Sequence, residues 1–187
     1  MEQNQKQQHD NDPLFIKEAA VRELLNWNDC VSAMESALVA ASNTKKSADK
    51  PFSSQTARTF TSVPDNGVLL TMPGYAGNYE LSTVTGDKRH STLACKLVTS
   101  FGGNSKLNPP LPTILATILM FDSKTGSLKA VVDGTEITAW RTAAVTLAAT
   151  KYLYYNSHAN SVNDRTLAIC GTGTQVILLI IKLCNLS

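Results

Sequence analysis

Three places in this 187-residue chain hold residue types and spacings that could do chemistry. The first is Gly171-Thr172-Gly173-Thr174-Gln175-Val176, directly after the apolar run Thr166 to Cys170. In a dinucleotide-binding turn the first glycine makes the tight bend and the second lets the backbone approach a pyrophosphate. A third small residue lets the following helix pack on its strand. Val176 stands at that third position and fits it poorly, so the segment reads either as a phosphate loop or as a structural turn. The second place is Arg141, in an Ala-rich helical stretch beside Trp140. An arginine there is either a solvated face residue or a two-pronged clamp for a carboxylate or phosphate. The third is Lys96, flanked by Ala94, Cys95, Leu97 and Val98. Strand alternation puts Ala94 and Val98 on its face. The lysine must then snorkel out, guard a sheet edge, or meet an anion.

Arg58 and Thr113 carry weaker signals. Arg58 precedes a β-prone run and reads as a surface charge; Thr113 follows Pro112 and reads as the start of a strand. His9, His90 and His158 all stand in polar stretches and read as exposed loop residues. No Ser/His/Asp or Cys/His arrangement stands out.

The elements that must position these residues follow from periodicity. Residues 1–12 are polar and read as a disordered tail. Phe15 and Ile16 suggest a short strand. Helical spacing recurs from Lys17 to Ala41, with Asn28 or Asp29 as the cap of its second half and Glu35 on its polar face. Ser42 to Phe52 reads as a solvated loop. Thr59–Val63 and Val68–Met72 flank Asp65-Asn66-Gly67 and predict a hairpin, with Pro73-Gly74 breaking the second strand. Tyr75 to His90 is then expected to loop out. Leu93–Phe101, Ile114–Asp122 and Leu128–Asp133 predict three further strands in a meander. A helix is expected over Ile137–Leu153, capped by Asp133 or Thr135, and a strand over Thr166–Cys170.

Composition bounds the class. The chain is 43% hydrophobic and 17% charged with a net charge of +2, enough for one domain, or one domain and part of a second. The near-neutral balance argues against nucleic-acid binding. Its apolar runs are too short for a bilayer span, which needs about 20 residues, and the polar start is no secretory signal. The four cysteines, Cys30, Cys95, Cys170 and Cys184, are far apart. They suggest no metal site and a reducing, cytoplasmic setting.

Several segments together resemble the ornithine cyclodeaminase/mu-crystallin family of NAD(P)-dependent enzymes. They are Thr71-Met72-Pro73-Gly74-Tyr75, Ala94-Cys95-Lys96-Leu97-Val98-Thr99 and Leu111-Pro112-Thr113. The run Asp133-Gly134 through Thr138-Ala139-Trp140-Arg141-Thr142-Ala143-Ala144 follows, and then Gly171-Thr172-Gly173-Thr174-Gln175. The details are more similar to the family's ketimine reductases than to its bacterial cyclodeaminases.

The resemblance implies an α/β fold. An α+β substrate-binding and dimerisation domain with an open, mostly antiparallel sheet would span 13–155. The first strand and glycine turn of a Rossmann domain would span 156–175. It implies hydride transfer from NADPH or NADH to a cyclic ketimine carboxylate. A cyclodeaminase, or a non-catalytic binder of thyroid hormone or another small molecule, is the alternative. It also implies a homodimer and residue roles. Arg58 would hold the substrate carboxylate, and Lys96 would be the catalytic lysine. Thr113 and Arg141 would meet both substrate and cofactor, and Gly171, Thr172, Gly173, Thr174 and Gln175 would form the pyrophosphate loop. After Gln175 the family pattern is expected to stop. Residues 176–187 read as an unrelated apolar ending without helical amphipathicity, and tight cofactor binding is expected of the longer family form.

Overall fold

The computed structural model describes residues 12–43, 50–64, 67–80, 89–155, 168, 170–171 and 173–184. All but Asp12 of the expected tail over 1–12, the turn residues Asp65 and Asn66, His158, and most of the expected strand Thr166–Cys170 lie outside the described residues.

Among the described residues, strands β1 (Leu14–Ile16), β2 (Phe52–Gln55), β3 (Thr59–Val63), β4 (Gly67–Tyr79), β5 (His90–Phe101), β6 (Ile114–Phe121) and β7 (Leu128–Asp133) form one sheet. Its order is β1-β7-β6-β5-β4-β2, with β3 also pairing β4. Strands β4 to β7 form an antiparallel meander. The parallel pairing is that of β1 with β7. The open, mostly antiparallel sheet is therefore as expected. The helices are α1 (Glu18–Leu24), α2 (Trp27–Ser42), α3 (Thr135–Thr150) and α4 (Thr174–Cys184), and α3 runs into a π-helical turn over Lys151–Tyr155.

Burial explains why one sheet face takes the helices. Direct cross-strand partners share a face. The register therefore puts Lys96 beside Met72 and Ile118, with Val132 next in line, and puts Val98 beside Ala116. Val98, Ala116, Ala130 and Val132 on that face are buried. Val21 joins Ala130 and Val132 in a cluster packed by Ile16, Ile118 and Ile137. Fully buried Ala40, Ala143 and Ala144 are small enough to let α2 and α3 approach closely.

Several expectations are corrected. Pro73-Gly74 does not end its strand, because β4 continues to Tyr79. Thr59 of β3 pairs Thr71 and Gln55 of β2 pairs Gly74. Met72 and Pro73 fall in the gap between those two strands, where a missing N–H costs least. Tyr75 to Tyr79 is consequently strand rather than loop. His90 opens β5, half-buried, with its ring 5.8 Å from that of Tyr79. The cap of α2 is Asn26, not Asn28 or Asp29; its side chain accepts from the Asp29 N–H at 2.9 Å. Helix α3 starts two residues before Ile137, with Gly134 as its N-cap. Asp133 instead accepts from the Thr135 N–H at 2.9 Å.

Residues 174–184 form α4, which packs on α3, so a tail without helical character is also corrected. Gln175, Val176, Leu178 and Leu179 are half-buried while Ile177 and Ile180 face out at 52% and 40% exposure. The helical period is present in the burial. It is invisible in a run whose inward and outward residues are alike apolar.

Candidate functional site

The site is assembled where the start of α3 meets β6. The Gly134 N–H donates to the Ala116 carbonyl at 2.8 Å, and the Ala116 N–H donates to Thr135 Oγ1 at 3.1 Å. A Cβ on Gly134 would lie 3.0 Å from Ile118 Cγ1 and 3.3 Å from the Ala116 backbone, so the helix start packs tightly on β6 and a side chain here would crowd both. From that anchor, Thr138 and Arg141 follow on one face of α3, three residues apart.

Lys96 points into this corner. Its Nζ donates to Thr138 Oγ1 at 3.4 Å. Arg58 stands one residue before Thr59, whose partner is Thr71. Continued by one position, that register sets Arg58 against Met72, which itself pairs Lys96. The topology thus brings three cations from β5, the start of β3 and α3 together. Burial pushes Lys96 down to about 8, with the nearby charges of Arg141 and Arg58 adding to the effect. Arg141 is lowered too, first by burial and then by Arg58. Its Nε is buried without a hydrogen-bond partner. A half-buried cation group with an unused donor is a receptor for an anion, and a carboxylate matches the arginine fork.

Beside it lies a cleft of about 540 Å³ with Thr113, Thr138, Gly173, Thr174 and Gln175 on its walls. Another wall carries Arg22, which donates to Glu136 at 2.7 Å and also pairs Glu18. Gly171 has φ +112°, a conformation open to glycine, and a Cβ on Gly173 would meet nothing within 4 Å. Gly173 leads directly into α4, whose first N–H groups favour an anion. Gln175 Oε1 is buried there without a partner.

The expected residues therefore fall into two adjoining groups. Arg58, Lys96 and Arg141 form the cation cluster, while Thr113, Gly173, Thr174 and Gln175 line the cleft. Gly171 is exposed beside that turn, and Thr172 lies outside the described residues. Sequence reasoning passed over Thr138, Thr135, Glu136, Glu18 and Arg22. Thr138 had a usable signal, since it precedes Arg141 by one helical turn. Among the described residues no group of three or more His, Cys, Asp or Glu could hold a metal, and no helix is long and apolar enough to cross a membrane.

Known proteins are similar to this chain in sequence and fold. Ketimine reductase mu-crystallin of Rattus norvegicus is 38% identical over 109 residues, covering 58% of this chain and 29% of that protein. Delta(1)-pyrroline-2-carboxylate reductase of Colwellia psychrerythraea is 29% identical over 136 residues, covering 73% of this chain and 38% of the relative. Among solved structures, Thermococcus litoralis Delta(1)-pyrroline-2-carboxylate reductase in complex with NADH and L-proline superposes with a TM-score of 0.66 at 29% identity. That match covers 92% of this chain and 46% of the other. The chain thus spans less than half the length of these relatives. A family model matches residues 11–185, past Gln175 and through the whole of α4. The chain belongs to the ornithine cyclodeaminase/mu-crystallin family.

Proposed function

We propose that this protein reduces cyclic α-imino acids, ketimine carboxylates, to the corresponding cyclic amino acids with NADPH or NADH. The observation that carries this reading is the cation cluster. Arg58, Lys96 and Arg141 share one corner, Lys96 is held at about 8, and Arg141 Nε lacks a partner. Arg58 and Arg141 hold the substrate carboxylate. Lys96 stands at the ring nitrogen, where an ammonium near neutrality can supply the proton the nascent amine needs. Thr113 orients both reactants from the cleft wall.

Gly171, Thr172, Gly173, Thr174 and Gln175 hold the cofactor's pyrophosphate. The open space at Gly173 and the N–H groups at the start of α4 support this assignment. When bound, the cofactor supplies a hydride to the imine carbon. The chain's own contribution is orientation and charge: two guanidinium groups and an ammonium fix an anionic substrate within reach. The protein acts as a homodimer under this reading. The sheet face opposite the helices, with half-exposed Leu97, Leu119 and Val131, supplies an apolar surface for a second copy.

The test is a reductase assay with Δ1-pyrroline-2-carboxylate, following loss of reduced nicotinamide absorbance. Turnover that disappears in Lys96→Met supports the proposal. Release of ammonia from ornithine without imine reduction would favour a cyclodeaminase. Thyroid hormone binding with neither activity would favour a non-catalytic binder.

A further inference from the structure

Four threonines run along α3 at helical spacing: Thr138, Thr142, Thr146 and Thr150. Three of them turn their hydroxyls back on the helix. Thr142 Oγ1 donates to the Thr138 carbonyl at 2.8 Å, Thr146 to the Thr142 carbonyl at 3.3 Å, and Thr150 to the Thr146 carbonyl at 2.8 Å. This back-bonding is the ordinary resting place of a helical threonine. Thr138 departs from it, with its Oγ1 against Lys96 Nζ at 3.4 Å, and it also stands on the wall of the cleft.

The donor inventory sets the direction of that contact. An ammonium has only donors, so Thr138 Oγ1 must accept. The hydroxyl proton is then turned away from Lys96. We infer that Thr138 is a positioning residue: its oxygen orients the Lys96 ammonium, and its hydroxyl proton is kept for the molecule that enters the cleft. This rests on the imino acid reading of the site for the identity of that molecule, though not for the contact itself. The cleft's occupant then meets a fixed hydroxyl donor backed by a cation. Loss of Thr138 Oγ1 leaves a half-buried ammonium with one acceptor fewer, which disfavours its charged form.

The test compares Thr138→Val, Thr138→Ser and Thr142→Val in the 187-residue chain. The readout is the titration of Lys96 followed through its 15Nζ and 13Cε shifts, with equal melting temperatures confirming the fold. Thr138→Val is expected to lower the Lys96 pKa by roughly one unit, the scale of a hydrogen bond to a charged group. Thr138→Ser restores the acceptor and Thr142→Val never touches it, so both match the parent. An unchanged Lys96 in Thr138→Val, or an equal fall in Thr142→Val, overturns the inference.

A second arm measures binding of pyrrole-2-carboxylate, a planar ring carboxylate. Thr138→Val is expected to weaken it roughly tenfold, for one lost hydrogen bond, with Thr138→Ser near the parent. Equal affinity in Thr138→Val overturns the hydroxyl's part in ligand binding. If the parent itself fails to bind this probe, the imino acid reading fails, while the Lys96 titration still decides the contact between Thr138 and Lys96.

Discussion

Trp27 stacks on Trp140 with ring centroids 4.4 Å apart and planes 23° from parallel, tying the first turn of α2 to α3 one residue before Arg141. The two rings sit on the helix pair whose close approach depends on Ala40, Ala143 and Ala144. The stack therefore helps fix how α3 is rotated, and with it where Arg141 points. Trp27→Ala is expected to cost about 2–3 kcal/mol, combining lost burial with lost ring stacking. Urea unfolding measures the cost. Carboxylate binding should weaken as well, whereas Trp27→Phe keeps most of both.

The contact of Gly134 with Ala116 makes a second prediction. A branched side chain crowds Ile118 Cγ1, 3.0 Å from the first added atom, and the Ala116 backbone, 3.3 Å from it, so α3 is expected to shift against β6. Gly134→Val is expected to destabilise the chain by about 2 kcal/mol or more through overpacking. Because Thr138 and Arg141 ride on the same helix, the cation cluster should open at the same time. A Lys96 titration that returns toward the ordinary lysine value of 10.5 would report it.

Gly173 behaves in the opposite way. A Cβ there meets nothing within 4 Å, so Gly173→Val is expected to leave the melting temperature nearly unchanged. The added methyls fill cleft space instead. Binding of NADH, measured by calorimetry in the parent and the variant, should weaken roughly tenfold or more if the turn holds the pyrophosphate. Equal affinity would remove Gly173 from the cofactor site.

Lys96 also sets a pH dependence of stability. Its folded pKa is near 8, below the ordinary value of 10.5. Below pH 8 both states carry the proton and the folded state bears the cost of a half-buried charge. As pH rises from about 8 to 10.5 the folded state releases the proton before the unfolded one does, so this contribution raises stability across that window. Lys96→Met should be more stable than the parent below pH 8, with the gap closing above it. Thermal melts of both proteins from pH 7 to pH 10 check the sign. A carboxylate ligand should reverse the trend by stabilising the ammonium.

Asn26 offers a test remote from the site. Its side chain caps α2 through the Asp29 N–H. Asn26→Ala is expected to cost about 1 kcal/mol, with pyrrole-2-carboxylate affinity unchanged. Chemical denaturation and calorimetry separate the two effects.

Much of this arrangement was legible in the residues alone. The alternation in Leu93–Phe101 and Ile114–Phe121, the hairpin of Thr59–Val63 with Val68–Met72, and the helix carrying Arg141 are local patterns, set by side-chain period and turn residues. The family motifs likewise singled out Lys96 and Arg141, whose types and order are written in the chain. Where the patterns failed, the missing information was non-local. The continuation of β4 through Pro73 depends on a gap between β2 and β3, and the helical face of α4 exists only once α3 covers one side of a uniformly apolar run. Thr138 shows the same division at the scale of a single atom. Its spacing from Arg141 is a property of the sequence, but its difference from Thr142, Thr146 and Thr150 is not. Only the packing of α3 on the sheet puts an ammonium from β5 within reach of one of four chemically identical hydroxyls, and proximity across elements is what a linear pattern does not encode.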